Sequence, residues 1–229
     1  MKISNFKLAI GIPLTFPYVP SSFFHSFALM EKPDHVYIQA DNGPIHELRN
    51  NIVDRALREG ATHLMMCDTD QVYHPQTIPR LLSRKLPVVG ALVHRRYPPF
   101  DSLMLKVEIG EEYNDYRSID EWEDGALVEV DATGAGCLMF DVSVFRKLPR
   151  PWFRNDKAPA GAPPIGEDIG FCQDLKAAGY RIFVDTSVPA GHLTTMVVNT
   201  ATNRLYLAIK NEQAARAAIK TDTGGHCNG

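Results

Sequence analysis

The sequence predicts an α/β protein with a mainly parallel central sheet flanked by helices. Two observations support this class: short, continuous apolar runs recur along the first half of the chain, and amphipathic segments with helical spacing lie between them. Parallel strands are usually buried on both faces, so they read as unbroken apolar runs. Apolar strands that alternate with amphipathic helices are typical of a sheet with helices on both faces.

The first 94 residues contain the most regular elements. The predicted strands are residues 6–12, 34–40, 62–67 and 87–93. The predicted helices are residues 21–32, 44–60 and 75–85. The second of these helices has the clearest pattern, because Pro44 suits a first helical turn and apolar residues recur on one face.

The second half is less regular. Residues 95–126 are polar and rich in turn formers, and we expect their acidic run, residues 108–124, to be a solvated, mobile excursion rather than a site. The later predicted elements are two short strands around a glycine turn in 127–141, a helix from Val142, a Pro-, Gly- and Ala-rich loop at 149–166, a helix from 166 to Gly179, a strand to Asp185, and a helix from Asn199 to Lys220. We expect one domain over residues 1–220, with two lobes as an alternative, and a flexible tail at 221–229.

Composition narrows the class of protein. The net charge of −3 supplies no basic field, so nothing suggests binding to nucleic acid through its phosphates. The four cysteines stand singly, which favours reduced thiols in a cytosolic protein. No apolar run approaches the roughly 18 residues of a membrane-spanning helix, and the N-terminus reads as a first strand rather than a signal peptide. These features predict a cytoplasmic protein without a transmembrane segment.

Asp68 and Asp70 stand two residues apart where the third predicted strand ends. Such a spacing arises about once by chance in a chain this rich in aspartate. Its position raises its significance, because ligands of α/β sheets bind beyond the carboxyl ends of the strands. Two like charges on one side of a buried strand are costly without a cation between them, and carboxylates prefer Mg²⁺ or Mn²⁺.

Other residues at strand ends could join this site. Asp41 and Asp185 also end predicted strands, although aspartate is common there and at helix N-caps. His192 follows a strand and could be a third metal ligand, which would shift the preference toward Mn²⁺. A lone histidine is, however, more often structural.

Glu167 and Asp168 open a predicted helix after the loop at 149–166. They could stabilise the helix dipole, or one of them could act as a general base beside a substrate-binding lid. The residues alone leave both readings open.

Gly134 and Gly136 form a lone G-x-G that matches neither a P-loop nor a dinucleotide-binding fingerprint. It indicates close packing of a backbone turn, against the protein or against a ligand. Arg95 and Arg96, after the fourth strand, could contact phosphate or face water.

Taken in order, these segments resemble a GT-A type glycosyltransferase of the family-two-like kind found in bacteria and phages. The matching segments are GIPLT, the strand ending at Asp41, RNNIVDRAL, MMCDTD, GAGCLMFD, GEDIGFCQDLKAAGY and VDTSVPAGH, and they cover roughly residues 6–195. The resemblance implies a GT-A nucleotide-diphospho-sugar transferase fold. It also implies a nucleotide-binding half at about 1–94 and an acceptor and catalytic half at about 95–220.

The resemblance implies a role for individual residues. Asp68, Asp70 and His192 match the metal ligands, and of the two aspartates Asp70 is the better match to the direct ligand. Asp168 matches the catalytic base of inverting members, with Glu167 as its supporting neighbour. The positions that match contacts to the nucleotide are Thr15, Asp41, Arg49 and Thr69. The positions expected beside the donor sugar and acceptor are Gly134, Ala135, Gly136 and Trp152.

The expected function is the metal-dependent transfer of a sugar from a nucleotide-diphosphate donor, UDP-sugar first, to an acceptor hydroxyl with inversion. Mn²⁺ or Mg²⁺ is the expected cofactor, and the acceptor could be a saccharide, a lipid-linked molecule or a modified nucleobase. One alternative is a sugar-nucleotide nucleotidyltransferase, which would need a Gly- and Arg-rich loop where this chain has PLTFPYVP. Another is a catalytically silent nucleotide-sugar-binding protein. The Pro-rich loop lies where the acceptor should bind, so the identity of the acceptor stays open. The sequence also leaves open whether the sugar is transferred with retention or inversion of configuration, and what the oligomeric state is.

Overall fold

The computed structural model describes residues 6–110, 115–155 and 165–223. These residues belong to two compact units, one ending at Leu193 and the other beginning at Thr194. The strands of the first unit are β1 (Leu8–Leu14), β2 (His35–Asp41), β3 (His63–Cys67), β4 (Gln71–Val72), β5 (Val88–Val93), β6 (Leu105–Glu108), β7 (Asp115–Ser118), β8 (Leu127–Val130), β9 (Cys137–Asp141) and β10 (Ile182–His192). Its helices are α1 (Ser21–Leu29), α2 (Ile45–Arg58), α3 (Thr77–Ser83), α4 (Ser143–Lys147) and α5 (Glu167–Ala177).

The central sheet has the strand order β2-β1-β3-β9-β5-β10-β4, and β8 also pairs with β10. The strands β2, β1, β3, β5 and β10 run in one direction, since β9 is antiparallel to both of its neighbours, β3 and β5. The strands β4 and β8 run antiparallel to β10. The predicted class is confirmed: this is a mainly parallel sheet flanked by helices.

The core lies on both faces of the sheet, because successive strand residues point to opposite sides. In β1, Leu8 and Ile10 join one buried cluster and Ala9 joins the other. Gly11 lets α2 approach β1, since a Cβ at this position would clash with the Ile52 side chain. The continuous apolar strands of the sequence are therefore the two-sided core of the fold.

The structure shows two strands within residues 95–126 that the sequence does not predict. The segment contains the antiparallel strands β6 and β7, and Met104 and Leu105 are buried, whereas every described residue of the acidic run 108–124 is at least partly exposed to solvent. Residues 111–114 lie outside the described residues. The strands β8 and β9 lie on either side of the predicted glycine turn, and they pair with different strands of the sheet.

The second unit contains the helix α6 (Thr200–Thr223), close to the predicted Asn199–Lys220. The first residues of the predicted tail, 221–223, belong to this helix, and residues 224–229 are outside the described part of the chain. Across the described ranges, no helix has the length and apolar character needed to span a membrane. The described cysteines, Cys67, Cys137 and Cys172, are buried, and no disulfide is seen among the described residues.

Candidate active site

The turn after β3 carries the Asp68–Asp70 motif and is held against the predicted glycine turn. The backbone N–H of Asp68 donates to the Gly136 carbonyl at 2.8 Å. The Tyr73 hydroxyl hydrogen-bonds the carbonyls of Asp68 and Gly136, at 2.7 and 2.9 Å. Two segments almost 70 residues apart are thus fixed side by side at the carboxyl end of β3.

Gly136 is required at this contact. A Cβ on residue 136 would lie 2.7 Å from Asp68 Oδ2 and would also overlap the Gln71 amide. Gln71 is 3% exposed, and its Oε1 has no hydrogen-bond partner among the described residues. The glycine turn therefore packs directly on the acidic motif, as the lone G-x-G suggested.

Asp68 forms a two-pronged ion pair with Arg49 of α2. Arg49 Nη1 and Nη2 donate to Asp68 Oδ1 and Oδ2 at 2.9 and 2.8 Å. Arg49 Nε donates to Glu167 Oε1 at 3.1 Å, which connects α2 to the start of α5. Arg49 is 3% exposed, so the three side chains form a largely buried network.

Asp168 stands next to this network at the first turn of α5. Its Oδ1 accepts a hydrogen bond from the Ile169 N–H at 2.8 Å, and a Cβ on Gly134 would lie 3.6 Å from its Oδ2. Burial and the adjacent Glu167 carboxylate raise the pKa of Asp168 to about 6, although Arg49 opposes the shift. A carboxyl group with this pKa can accept a proton near neutral pH.

Asp70 belongs to a second cluster, with Arg96 and His192. Arg96 Nη1 donates to Asp70 Oδ2 at 2.9 Å, and His192 Nε2 lies 3.4 Å from the same oxygen. The pairing of β10 with β4 sets His192 opposite Gln71, and so brings it beside Asp70. Burial alone would raise the pKa of Asp70, but the contacts with His192 and Arg96 hold it below its ordinary value.

The donors around Asp70 suit a divalent cation better than those around Asp68. The Nδ1 of His192 lies 2.8 Å from the His94 carbonyl, and donation there leaves Nε2 free to act as a ligand beside Asp70. Both Asp68 oxygens are bonded to Arg49, so Asp68 would reach the same ion only if that pair opened. Within the part of the chain that the structure describes, no three His, Cys, Asp or Glu side chains are grouped as a metal site. The ligand set of Asp68, Asp70 and His192 therefore stays a prediction. The arrangement of side chains suits a divalent cation at Asp70 and His192.

The remaining predicted residues occupy varied environments. Thr15 and Asp41 are exposed at the ends of β1 and β2, and Asp41 accepts hydrogen bonds from Gln39 and Asn42. Thr69 is half-buried between the two aspartates, and Ala135 is buried. The nucleotide-binding assignments stay predictions.

Trp152 lies in the hydrophobic core. It is 3% exposed, its indole N–H donates to the Phe145 carbonyl at 2.9 Å, and its ring packs edge-on against Phe145. These contacts give Trp152 a packing role, and we leave it out of the site proposed below.

Asp185 has a structural role. It is fully buried, pairs with Arg84 Nε at 2.6 Å, and accepts hydrogen bonds from the backbone and hydroxyl of Ser187. These bonds lie at the irregularity of β10 between Asp185 and Pro189. Asp185 therefore lies inside β10 rather than at a strand end, and its contacts are structural.

Sequence reasoning missed two contributors, Tyr73 and Gln71, and described Arg96 only as a possible phosphate contact. Tyr73 follows the motif by three residues, in a segment taken as a connection to the next helix. A polar Gln and an aromatic residue directly after the aspartates could have suggested the short strand β4.

No family model matches the sequence, and no curated protein matches it significantly. Solved structures do match. A197 from STIV has 17% sequence identity and a TM-score of 0.54, covering 83% of this chain and 86% of that one. GalNAc-T7, solved with UDP, GalNAc and Mn²⁺, has 10% identity and a TM-score of 0.59, covering 83% of this chain. TarS (1–349) of S. aureus has 12% identity and a TM-score of 0.52, covering 82% of this chain.

The fold is GT-A. GalNAc-T7 and TarS are glycosyltransferases, and the likeness to each of them covers more than four fifths of this chain. The chain spans 44% of the GalNAc-T7 chain and 60% of the TarS chain. At identities of 10–17% these comparisons establish architecture alone. The family-two-like assignment stays a prediction.

Proposed function

We propose that this protein is a metal-dependent glycosyltransferase that moves a sugar from a nucleotide-diphosphate donor, UDP-sugar foremost, to an acceptor hydroxyl. The supporting observation is a convergence: segments around Asp68, Gly136 and Glu167, remote in sequence, come together at the carboxyl end of β3, where Asp68 bonds Gly136 directly and Glu167 through Arg49. Ligand sites of open α/β sheets lie at this edge. The presence of UDP, GalNAc and Mn²⁺ in the GalNAc-T7 structure supports the choice of donor and metal.

Asp70 and His192 would hold the cation, Mn²⁺ or Mg²⁺. When bound there, the cation would act as a Lewis acid that neutralises the departing diphosphate. The His94 carbonyl orients the His192 ring, as hydrogen-bond partners of the other ring nitrogen of a histidine ligand commonly do. Arg96, now paired with Asp70, is 56% exposed and can leave that carboxylate at small cost.

Asp168 is the proposed base, and Glu167 its supporting neighbour. Glu167 already accepts a hydrogen bond from Arg49, whereas Asp168 Oδ2 faces the Gly134 turn. In the proposed reaction Asp168 takes the proton of the acceptor hydroxyl as the oxygen forms its bond to the anomeric carbon. The bond from that carbon to the diphosphate breaks on the opposite face, so the product is inverted.

The deciding experiment is a panel of nucleotide sugars, assayed with and without Mn²⁺ by thermal shift and by release of nucleoside diphosphate. We expect metal-dependent stabilisation by at least one donor, and release of its diphosphate when an acceptor is supplied. Stabilisation without any release would identify a silent binding protein, and pyrophosphate release from a nucleoside triphosphate would identify a nucleotidyltransferase. Either result would overturn the proposal.

Two variants test the assigned roles. Asp70→Ala should lose metal-dependent donor binding, and unchanged affinity by calorimetry would remove Asp70 from the metal site. Asp168→Asn should bind the donor with native affinity and lose turnover by about 10²–10⁴-fold, the usual contribution of a general base. A fully active Asp168→Asn variant would rule out the base.

A further inference from the structure

We infer that Arg49 is a positioning residue that ties α5 to the turn after β3 and thereby holds Asp168 against the Gly134–Gly136 turn. The inference rests on the proposed function, in which Asp168 is the base. It gives Arg49 a different role from the nucleoside contact that the sequence resemblance implies.

The bridge consists of three charge-assisted hydrogen bonds. Two run from Arg49 to the Asp68 carboxylate at 2.9 and 2.8 Å, and one runs from Arg49 Nε to Glu167 at 3.1 Å. Asp68 is 19 residues and Glu167 is 118 residues away from Arg49 in sequence, so local chain geometry does not impose either contact. A single side chain therefore links three elements of the fold.

The packing around Arg49 restricts its side chain. It lies on the buried face of α2, whose neighbouring residues Leu48 and Ile52 are in the hydrophobic core. The guanidinium carbon lies 6.0 Å from the centre of the Phe153 ring, a position that suits a cation–π contact. With 3% of the side chain exposed, the guanidinium has little room to choose other partners.

Glu167 and Asp168 are adjacent on the first turn of α5, so a bond that fixes one restrains the other. Asp168 has the Ile169 N–H as a local partner, and this bond cannot set where the helix start lies relative to β3. The Arg49 bridge supplies that restraint, because its other end is on Asp68, whose N–H is bonded to Gly136. The distance from the base to the glycine turn is thus set through Arg49.

The chemistry of the bridge requires arginine. A planar guanidinium can bond one carboxylate with two N–H groups and a second carboxylate with Nε, whereas an ammonium group is a single point donor. Lysine at position 49 would keep the positive charge and lose the ability to hydrogen-bond both carboxylates at once. Methionine would remove the charge as well and leave the carboxylates of Asp68, Glu167 and Asp168 without this counter-charge.

The first test reports on the bridge independently of activity. Hydrogen exchange of the segment 165–175 is measured by mass spectrometry in the native chain, in Arg49→Lys and in Arg55→Lys. Arg55 is the matched control, since it is an exposed arginine of the same helix that bonds a backbone carbonyl. We expect exchange in this segment to rise by about tenfold in Arg49→Lys, through local opening of the helix start, and to stay native in Arg55→Lys.

The second test separates positioning from simple destabilisation. Arg49→Lys should lower kcat by about 10²-fold and leave the donor KM within about threefold, because a base misplaced by about 1 Å loses rate rather than binding. Arg49→Met should in addition move the acidic limb of the pH profile upward, since Asp168 would keep Asp68 and Glu167 as neighbours and lose its cation. Arg55→Lys should match the native enzyme in all these quantities.

Each outcome decides the inference. Native exchange at 165–175 in Arg49→Lys would overturn the bridge whether or not the chain transfers sugar. Increased exchange in a chain that releases no diphosphate from any donor would uphold the bridge and overturn the proposed function instead. Should Arg49→Lys fail to fold, Glu167→Ala removes the acceptor at the α5 end of the bridge and leaves the Arg49–Asp68 pair intact; faster exchange at 165–175 in this variant supports the inference, and native exchange overturns it.

Discussion

Replacing Asp168 by Asn should stabilise the protein at neutral pH and have no such effect in acid. Burial, reinforced by the Glu167 carboxylate, raises the pKa of Asp168 from 3.8 to about 6 in the folded state. A shift of about two units corresponds to about 3 kcal/mol of preference for the neutral form, at 1.36 kcal/mol per unit. Asparagine resembles the neutral acid in shape and does not ionise.

The sign of the effect follows from proton binding. The folded chain holds the Asp168 proton more tightly than the unfolded chain, so this group destabilises the fold increasingly as the pH rises from about 4 to about 6. The penalty is constant above that range. The free energy of unfolding of Asp168→Asn minus that of the native chain should therefore rise by about 3 kcal/mol between pH 4 and pH 7. Urea denaturation at a series of pH values measures this difference.

Asp131→Asn is a matched control that should behave in the opposite way. Burial opposes ionisation of Asp131, but its hydrogen bond with Lys176 holds its pKa below the ordinary value. Asp131 thus stabilises the fold above the unfolded pKa, and this contribution is lost only as the pH falls below about 4. A difference for Asp168→Asn that stays flat from pH 4 to pH 7 would refute the raised pKa of the half-buried Asp168 carboxyl group at the start of α5.

Three further variants test other contacts. Gly136→Ala would place a Cβ 2.7 Å from Asp68 Oδ2, and we expect a loss of about 1–3 kcal/mol in the free energy of unfolding, measured in urea; a fully stable variant would contradict the close packing. Arg96→Gln removes the guanidinium that is paired with Asp70, and we expect Mn²⁺ to bind about fivefold more tightly by calorimetry, the size expected from an exposed ion pair. Unchanged or weaker binding would contradict the idea that Arg96 and the metal compete for Asp70. Trp152→Phe should lose about 1–2 kcal/mol of stability with its buried hydrogen bond and keep native turnover, and a stable variant without turnover would return Trp152 to the acceptor site.

The sequence allows the sheet to be predicted because its strands have a local signature. β1 and β3 are continuous apolar runs, and in the structure they fill both faces of the sheet. The buried positions of α2 recur with helical spacing. Each signal lies within one short segment, so no knowledge of distant partners is needed to read it.

The pairings that organise the site are not local, and the sequence could not reveal them. The apolar run of β9 predicts a strand, but its insertion between β3 and β5 depends on partners about 50 to 80 residues away. Arg49 looks like an ordinary polar residue of an amphipathic helix, and its burial follows from two acids that come later in the chain. The strands β6 and β7 are equally hard to predict, because most of their residues are polar and most face solvent.

The two aspartates of the motif differ most in the cation that each already has. Asp68 is paired through both oxygens with an arginine that is 3% exposed, and opening that pair would leave a buried charge, at a typical cost of about 3–5 kcal/mol. Asp70 is paired with an arginine that is 56% exposed, and such surface pairs contribute about 0–1 kcal/mol. A divalent ion entering the site would therefore displace Arg96 far more readily than Arg49. Asp70, with His192, is therefore the proposed metal ligand. Asp68, through Arg49, holds the turn after β3 against the start of α5.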